Sequence, residues 1–240
     1  MTWWQKLVSS QSVSEQGQDE NVHYGRALKE LTGRLKKVGH PRLLDLGLTC
    51  GANIEFFIRL GCKVHVDDYA TSLMGRPQQI AAQAKSPVSE NSFSPRKKKT
   101  AGPLVNIPPV DYEEGIFQAV LCWDLFDYLS GPEAAVLAAE INRVTSAGGY
   151  LLALFGPAQN TSRRRPRRFR ILDDKSVRAE TLAGPDYIPH HLANRDIAHL
   201  FTEYEMGYTV LLKDGTREML LRKRRRPEQR LREPRMVSLV

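Results

Sequence analysis

Short apolar runs alternate with amphipathic segments along the first third of the chain. Residues 42–46 form a compact apolar run that Gly47 ends, which is typical of a buried parallel strand. Residues 52–60 carry apolar side chains at helical spacing and stop at Gly61, a residue that favours a helix C-terminus. Alternation over residues 63–66 indicates another strand. The pattern therefore predicts a strand, a helix and a second strand in succession.

The remainder of the chain continues this alternation and closes with a hairpin. Asp214 and Gly215 favour a tight turn, so the strands on either side of them are expected to be antiparallel. The predicted strands are 42–46, 63–66, 104–107, 117–123, 150–155, 208–212 and 218–222. Helices are predicted at 27–35, 52–60, 77–84, 133–144 and 194–205. This order predicts an α/β fold: a doubly wound, mostly parallel seven-stranded sheet of the Rossmann-like kind, with a C-terminal antiparallel hairpin.

The length of the chain and the distribution of its apolar and polar residues predict one domain with polar ends. A chain of 240 residues can bury one substantial core. The domain is expected at 22–222, after an N-terminal arm at 1–21 and before a disordered basic tail at 223–240. Within the domain, basic loops are predicted at about 86–102 and 158–170, where no apolar face is sustained.

The formal net charge of +8 comes from clustered basic residues. The clusters are Arg96 to Lys99, Arg163 to Arg170 and a run that begins at Arg222. All three interrupt or follow the apolar segments, so the charge is expected on loops and a terminus and says little about the fold. A nucleic-acid partner would need aromatic stacking beside the arginines, where Phe169 stands alone. A solvated charge run is therefore favoured over nucleic-acid binding.

Cysteine usage and hydropathy disfavour several other classes. Cys50, Cys62 and Cys122 form no CxxC pair and have no matching histidine spacing, which disfavours a disulfide framework and a zinc site. No apolar run approaches the roughly 20 residues of a membrane span, and residues 1–10 lack the pattern of a signal peptide. A cytoplasmic protein without a metal site or a membrane partner is expected.

The turn after the first predicted strand carries the candidate chemistry. Gly47 allows the backbone to approach a ligand closely, and Gly51 allows a second approach where the next helix begins. Asp45 precedes this pair and suits a cofactor that carries positive charge. The full G-x-G-x-x-G of dinucleotide binding is missing, which disfavours NAD. A purely structural turn is the alternative interpretation of the two glycines.

Three segments resemble a known enzyme family. Residues 43–51, LLDLGLTCG, resemble motif I of the class I S-adenosylmethionine-dependent methyltransferases of bacterial type, in which an acidic residue precedes glycines at alternate positions. Residues 117–124, FQAVLCWD, resemble the fourth strand of that family. Residues 140–150 resemble the helix, the Gly-Gly turn and the fifth strand that follow. The resemblance covers about 22–222 and implies the methyltransferase fold.

The resemblance implies S-adenosylmethionine as the cofactor and methyl transfer to an acceptor, with a small molecule as the expected acceptor. The implied cofactor contacts are Asp45, Gly47, Leu48, Gly51, Asp67, Asp68, Trp123 and Asp124. Asp67 follows Gly47 by about 20 residues, where a carboxylate binds ribose hydroxyls, and Asp68 is the one-residue alternative. Trp123 and Asp124 are implied at the methionine end of the cofactor. Alternatively, Trp123 packs under the next helix and Asp124 caps it.

One departure from the family divides the functional predictions. Thr49 stands where the family has its middle glycine, so the loop is tighter, holds the cofactor differently or has lost it. The first prediction is an active methyltransferase. The alternative is a catalytically inactive protein of the same fold that serves as a binding or interaction module, with contacts to nucleic acid through its basic loops. No catalytic base is assigned; the candidates are Asp124, Tyr128, His190 and His191.

Overall fold

The computed structural model describes residues 22–74, 107–157 and 162–225. The strands are β1 (Val22–Tyr24), β2 (Arg42–Asp45), β3 (Lys63–Val66), β4 (Phe117–Trp123), β5 (Thr145–Phe155), β6 (Arg167–Ile171), β7 (Ser176–Thr181), β8 (Tyr204–Leu211) and β9 (Arg217–Lys223). The helices are α1 (Arg26–Leu35), α2 (Gly51–Arg59), α3 (Tyr69–Met74), α4 (Gly131–Val144) and α5 (Asn194–Leu200), and a 3₁₀ turn spans Leu125–Tyr128. Within these ranges, no helix is long and apolar enough to cross a membrane.

The larger sheet has six strands within the described ranges, in the order β3-β2-β4-β5-β9-β8. Strands β3, β2, β4 and β5 are parallel neighbours, β9 is antiparallel to β5, and β8 is antiparallel to β9. The predicted α/β sheet, doubly wound, mostly parallel and closed by an antiparallel pair, is therefore confirmed. The predicted strand at 104–107 falls almost wholly outside the described residues, as do the helix at 77–84, the loop at 86–102 and the arm at 1–21.

Helices cover both faces of this sheet, which explains why its inner strands are continuous apolar runs. On one face, Leu28 and Leu31 of α1 pack in a common core with Phe57 of α2. On the other face, α4 contributes Leu137 and Ile141. All five side chains are fully buried. Because α2 and α4 each return the chain to a parallel strand, β2, β3, β4 and β5 end at one common edge of the sheet.

A smaller sheet of three strands, in the order β1-β7-β6, was not predicted. The basic loop predicted at about 158–170 is wrong for its last residues, because Arg167–Ile171 forms strand β6. Phe169 and Ile171 are buried in the core, whereas Arg170 between them is exposed. This alternation has the period of a strand, but the density of arginine conceals it in the sequence.

Several element boundaries also differ from the predictions; β5 and β8, for example, begin earlier, at Thr145 and Tyr204. Helix α5 ends at Leu200 rather than at residue 205, because Tyr204 already pairs with β9 as the first residue of β8. Strand β9 runs to Lys223, one residue past the predicted end of the domain. The Lys223 Nζ atom donates a hydrogen bond to the Thr145 carbonyl over 2.8 Å, which ties this strand end to β5. The tail after residue 225 lies outside the described residues.

Candidate functional site

The carboxyl ends of the parallel strands bring together the residues that the motifs singled out. Asp45 ends β2 and pairs in register with Val66 of β3 and Leu121 of β4. The backbone N–H of Asp67 donates to the Asp45 carbonyl over 2.9 Å, which holds the two strand ends side by side. Trp123 ends β4 at the same edge. This edge is where open α/β sheets bind their ligands.

Asp45 is already engaged by donors of the protein itself. Its carboxyl is buried, with 3% of the residue exposed. One oxygen, Oδ1, accepts hydrogen bonds from the backbone N–H of Gly47 over 3.0 Å and from the indole N–H of Trp123 over 2.8 Å. Burial raises the pKa of Asp45 to about 6, and these two hydrogen bonds oppose the rise. The Asp45 carboxyl is therefore already hydrogen-bonded to a tryptophan of the protein itself.

Gly47 is a glycine because Trp123 lies against it. A Cβ atom at Gly47 would come within 2.2 Å of Trp123 Cδ1, far inside van der Waals contact. The sequence suggested a different reason, the close approach of a ligand to the backbone. In the structure the indole ring of Trp123 occupies the space beside Gly47.

Trp123 holds this position at a conformational cost. Its φ angle of 31° falls in the left-handed region, which is a genuine outlier for a bulky residue. Such strain costs on the order of 1–3 kcal/mol and concentrates at functional sites. The ring is nevertheless well fixed, since only 4% of the residue is exposed. It stacks on Phe169 of β6 with 5.4 Å between ring centroids and 4° between ring planes.

Strand β6 is fastened over this edge by a single amide side chain. Asn53, in the first turns of α2, donates from Nδ2 to the Phe169 carbonyl over 2.8 Å. Its Oδ1 atom accepts from the backbone N–H of Ile171 over 2.8 Å. Both bonds are buried. Asn53 therefore bonds the backbone of β6 in the way that a residue of a neighbouring strand would. Asn53 was missed by the sequence analysis because its partners lie more than a hundred residues away.

Asp124 follows Trp123 and forms a buried ion pair with Arg167. The Arg167 Nη2 atom lies 3.3 Å from Asp124 Oδ2, and the Arg167 Nε–H donates to the same oxygen over 3.3 Å. Burial raises the pKa of Asp124, and the Arg167 charge opposes that rise. The alternative prediction, that Asp124 caps the following turn, is not seen, since its side chain makes no capping bond there. Arg167 was assigned to a solvated loop and is instead part of the edge.

The remaining cofactor candidates lie toward β3, where the edge is more open. Asp67 is partly exposed, and burial together with the nearby Asp68 raises the pKa of Asp67. Asp68 is exposed and accepts a hydrogen bond from the backbone N–H of Thr71 over 3.2 Å. Gly51 is exposed, and a Cβ atom there would touch nothing within 4 Å. Leu48 is partly buried against the core. The structure therefore leaves open the end of β3, where the resemblance implies the ribose, and fills the space beside Gly47, where it implies the methionine end; these are called below the ribose side and the methionine side of the edge.

Of the four candidates for a catalytic base, two are engaged by other side chains. Asp124 is tied to Arg167 as described. Tyr128 is buried and stacks on Tyr187 at 4.2 Å, and burial raises the pKa of Tyr128 far above its usual value. His190 is exposed overall, but its ring is partly withdrawn from water, which lowers its pKa. His191 is partly buried.

Asp127 was overlooked among the candidate bases. It is buried, its carbonyl accepts from the His190 backbone N–H over 2.7 Å, and burial raises the pKa of its carboxyl to about 7. Its sequence signal was an acidic residue within a short apolar turn. Within the described ranges, no group of histidine, cysteine and acidic residues is placed to hold a metal ion.

Known proteins similar to this chain are found among solved structures. No protein-family model matches the chain, and no curated protein matches it in sequence. Similar solved structures include an S-adenosylmethionine-dependent methyltransferase of Mesorhizobium loti, with 13% identity, a TM-score of 0.46, and coverage of 82% of this chain and 100% of that one. Another, from Methanosarcina mazei, has 14% identity and a TM-score of 0.45 and covers 79% of this chain and 95% of that one.

A third similar structure contains a bound product of the cofactor. It is the 1,6-didemethyltoxoflavin-N1-methyltransferase of Burkholderia thailandensis with S-adenosylhomocysteine, at 16% identity, a TM-score of 0.42, and coverage of 83% of this chain and 79% of that one. These similar structures are S-adenosylmethionine-dependent methyltransferases, the class that the motifs predicted. Identities and TM-scores this low carry no argument, so the chemistry rests on the residues of the site.

Proposed function

We propose that this chain is a methyltransferase-fold protein in which an internal side chain has replaced the methionine end of the cofactor, and that it works as a binding or interaction protein. The observation that carries the proposal is the position of Trp123. Its indole N–H donates to Asp45 Oδ1 over 2.8 Å, and its ring lies against Gly47. The motifs assign the same two residues to S-adenosylmethionine. Trp123 and the cofactor therefore compete for one place.

Displacing Trp123 is unfavourable on balance. It breaks a hydrogen bond to a buried carboxyl, about 1.5–3 kcal/mol, and a stack with Phe169, about 0.5–1.5 kcal/mol. It also exposes an indole whose burial stabilises the fold by about 4 kcal/mol or more. Relief of backbone strain returns only about 1–3 kcal/mol. Because each 1.4 kcal/mol weakens binding about tenfold, the balance lowers the affinity for the cofactor by orders of magnitude.

Calorimetric titration with S-adenosylmethionine and S-adenosylhomocysteine tests this proposal. The wild-type protein is expected to bind neither. Trp123→Ser frees Asp45 and the space beside Gly47, so this variant is expected to gain affinity for S-adenosylhomocysteine. Trp123→Phe is the matched control, because it keeps an aromatic ring while it removes the N–H donor and the smaller ring of the indole. Micromolar binding of either ligand to the wild-type protein would contradict the proposal.

An active methyltransferase with a small-molecule acceptor is the second candidate. It is favoured by the open ribose side of the edge, where Asp67 is partly exposed and Gly51 has free space around it. The strained backbone of Trp123 is a further reason, since strain is relieved if the side chain leaves. In this candidate Asp67 would hold the ribose hydroxyls, and the bound cofactor would supply the methyl group. The wild-type protein would then bind the cofactor, and Asp67→Ala would weaken binding by about 1–3 kcal/mol.

A further inference from the structure

A second group of buried polar side chains lies next to Asp124, and neither of the two candidate functions uses it as a group. We name it the polar cluster; it consists of Asp127, Tyr128, Arg164, Arg167, Tyr187 and Arg217. Four separate parts of the chain supply it: the turn after β4, the segment that enters β6, the loop before α5, and β9. Each of its two tyrosines, like Asp127 and Arg217, is at most 8% exposed. Nothing in the local sequence pattern indicates that these residues meet.

Gly156 lies at the centre of the polar cluster. Its backbone N–H donates to Asp127 Oδ1 over 2.9 Å, and its carbonyl accepts from Arg217 Nη2 over 3.0 Å. A Cβ atom at Gly156 would lie 2.4 Å from Asp127 Oδ2 and 3.1 Å from Arg164 Nη1. The missing side chain at Gly156 thus allows a carboxylate and a guanidinium to converge. Their closest atoms are 3.8 Å apart, which is too far for a direct hydrogen bond.

Several buried atoms of the polar cluster have no hydrogen-bond partner among the residues that the structure describes. By strict hydrogen-bond geometry they are Asp127 Oδ2, Tyr128 Oη, Arg164 Nη1, Arg167 Nη2, Tyr187 Oη and Arg217 Nε, although the two hydroxyls interact with each other and Arg167 Nη2 lies 3.3 Å from Asp124 Oδ2. A buried polar atom without a partner costs about 1–3 kcal/mol, and native proteins keep few of them. Such a concentration of incompletely satisfied polar atoms in one cluster favours a partner that contacts several of them.

The character of these atoms indicates what that partner is. Three are guanidinium nitrogens, which can only donate, and two are tyrosine hydroxyls, which can donate; one is a carboxylate oxygen. Burial and the neighbouring Asp124 raise the pKa of Asp127 to about 7, so near neutral pH its carboxyl also becomes a donor. Asp124 and, more exposed, Asp214 balance part of the positive charge through Arg167. A partner with several acceptor oxygens and a negative charge satisfies this set.

We propose that the polar cluster is a binding site for a small oxyanion, the carboxylate or phosphate group of a small molecule, held between the guanidinium groups of Arg164 and Arg167 and the hydroxyls of Tyr128 and Tyr187. The side chains of Arg164 and Arg167 are 16% and 15% exposed, so the cluster borders solvent although its unsatisfied atoms are buried. The site does not depend on whether Trp123 excludes the cofactor. If the second candidate function holds, the same oxyanion is the part of the acceptor that the protein recognises.

Thermal denaturation and calorimetry with two probes test the oxyanion site. The probes are inorganic phosphate and pyruvate at pH 7, compared with chloride at equal ionic strength. At least one is expected to raise the Tm of the wild-type protein by about 2 °C or more at saturation, because a ligand that binds only the native state stabilises it. The probe that binds more tightly identifies phosphate or carboxylate as the recognised group.

Variants separate this site from surface charge. Arg164→Gln is expected to weaken binding of the effective probe about tenfold or more, because a charged hydrogen bond is lost. Tyr187→Phe keeps the ring stack and is expected to weaken it several-fold. Arg168→Gln is the matched control, since Arg168 is 41% exposed and pairs with Glu180 on the outer side of β6. The proposal is overturned if neither probe exceeds chloride, or if Tyr187→Phe binds as the wild-type protein does.

Discussion

Gly47 and Trp123 show how one side chain determines which residue a distant position tolerates. The indole N–H and the Gly47 N–H share one oxygen of Asp45, and the ring fills the space where a Cβ atom would lie. A glycine that the motif assigned to a ligand therefore has a structural explanation. The residue type is the same under both explanations, so the sequence does not distinguish them.

Replacing Gly47 by alanine tests this explanation. Because the new Cβ atom would lie 2.2 Å from Trp123 Cδ1, Gly47→Ala is expected to lower the free energy of unfolding by about 1–3 kcal/mol in urea denaturation. In a Trp123→Ser background the same substitution is expected to cost much less, since the clashing ring is gone. An equal loss in both backgrounds would show that Gly47 serves the backbone and not the indole.

Asp127 makes the stability of the protein depend on pH. Its pKa in the folded state, about 7, lies above the ordinary value of 3.8, so folding favours the protonated form. The associated stability is complete below pH 4 and is lost as the pH rises toward 7. Asp127→Asn, which cannot lose a proton, is expected to remove part of this loss, on the order of 2 kcal/mol between pH 5 and pH 7.

Urea denaturation at several pH values measures the effect of Asp127→Asn. Asp45, whose pKa of about 6 lies in the same range, contributes to the pH dependence of both proteins. The measured quantity is therefore the difference between the pH dependence of the wild-type protein and that of the variant. Asp186→Asn is the control, because Asp186 is 49% exposed. A parallel pH dependence of wild type and Asp127→Asn would contradict the assignment.

Among the secondary-structure elements, β6 has the greatest effect on the site. It supplies Phe169 to cover the indole ring and Arg167 to pair with Asp124. Its alignment depends on Asn53 of α2, which bonds two backbone groups of the strand. The small sheet therefore closes the methionine side of the edge because one helix side chain binds a strand backbone.

Removing the Asn53 amide should loosen β6. Asn53→Ala leaves the Phe169 carbonyl and the Ile171 N–H unpaired and buried, so the free energy of unfolding is expected to fall by about 2–4 kcal/mol. Hydrogen exchange of the Ile171 amide should become faster. Gln118→Ala is the control, because it removes an exposed hydrogen bond that Gln118 accepts from the Arg42 N–H and a long one, 3.4 Å, that it donates to the Ile116 carbonyl. Losses of equal size in the two variants would contradict a special role for Asn53.

For the chain as a whole, the net charge of +8 overstates the surface available to a polyanion. The second basic run is largely paired within the described residues. The pairs are Arg164 with Asp127, Arg165 with Asp186, Arg167 with Asp124, and Arg168 and Arg170 with Glu180. A neighbouring carboxylate partly balances each of these charges, so the run offers a polyanion less net surface charge than its sequence suggests.

Single-stranded RNA binding by a double variant tests this view. Arg168→Gln with Arg170→Gln is expected to leave the affinity for a short RNA unchanged within about twofold at both low and moderate salt, because Glu180 already engages both side chains. Filter binding or fluorescence anisotropy measures it. A salt dependence that becomes shallower by about one phosphate contact for each arginine removed would show that the run does bind nucleic acid.

Much of the central sheet was predictable from local pattern. Strands β2, β3 and β4 are apolar runs because helices cover both faces, and α2 and α4 show the helical period because one side of each packs on the sheet. Parallel connections then require that the ends of β2 and β3 be neighbours, so the proximity of Asp45 and Asp67 followed from the sequence. The hairpin between β8 and β9 followed from its Asp-Gly turn.

Long-range contacts accounted for the rest. The direction of the Trp123 side chain depends on Phe169, and strand β6 depends on β7 and Asn53. The first turn of α1 is capped by the buried carboxyl of Glu218, which accepts from the Ala27 and Leu28 N–H groups over 3.2 and 3.3 Å. A local stretch of sequence carries the period of an element, because that period depends on the backbone. It does not determine which surface the element packs against, because residues far along the chain build that surface. In this protein such a surface fills the methionine side of the edge.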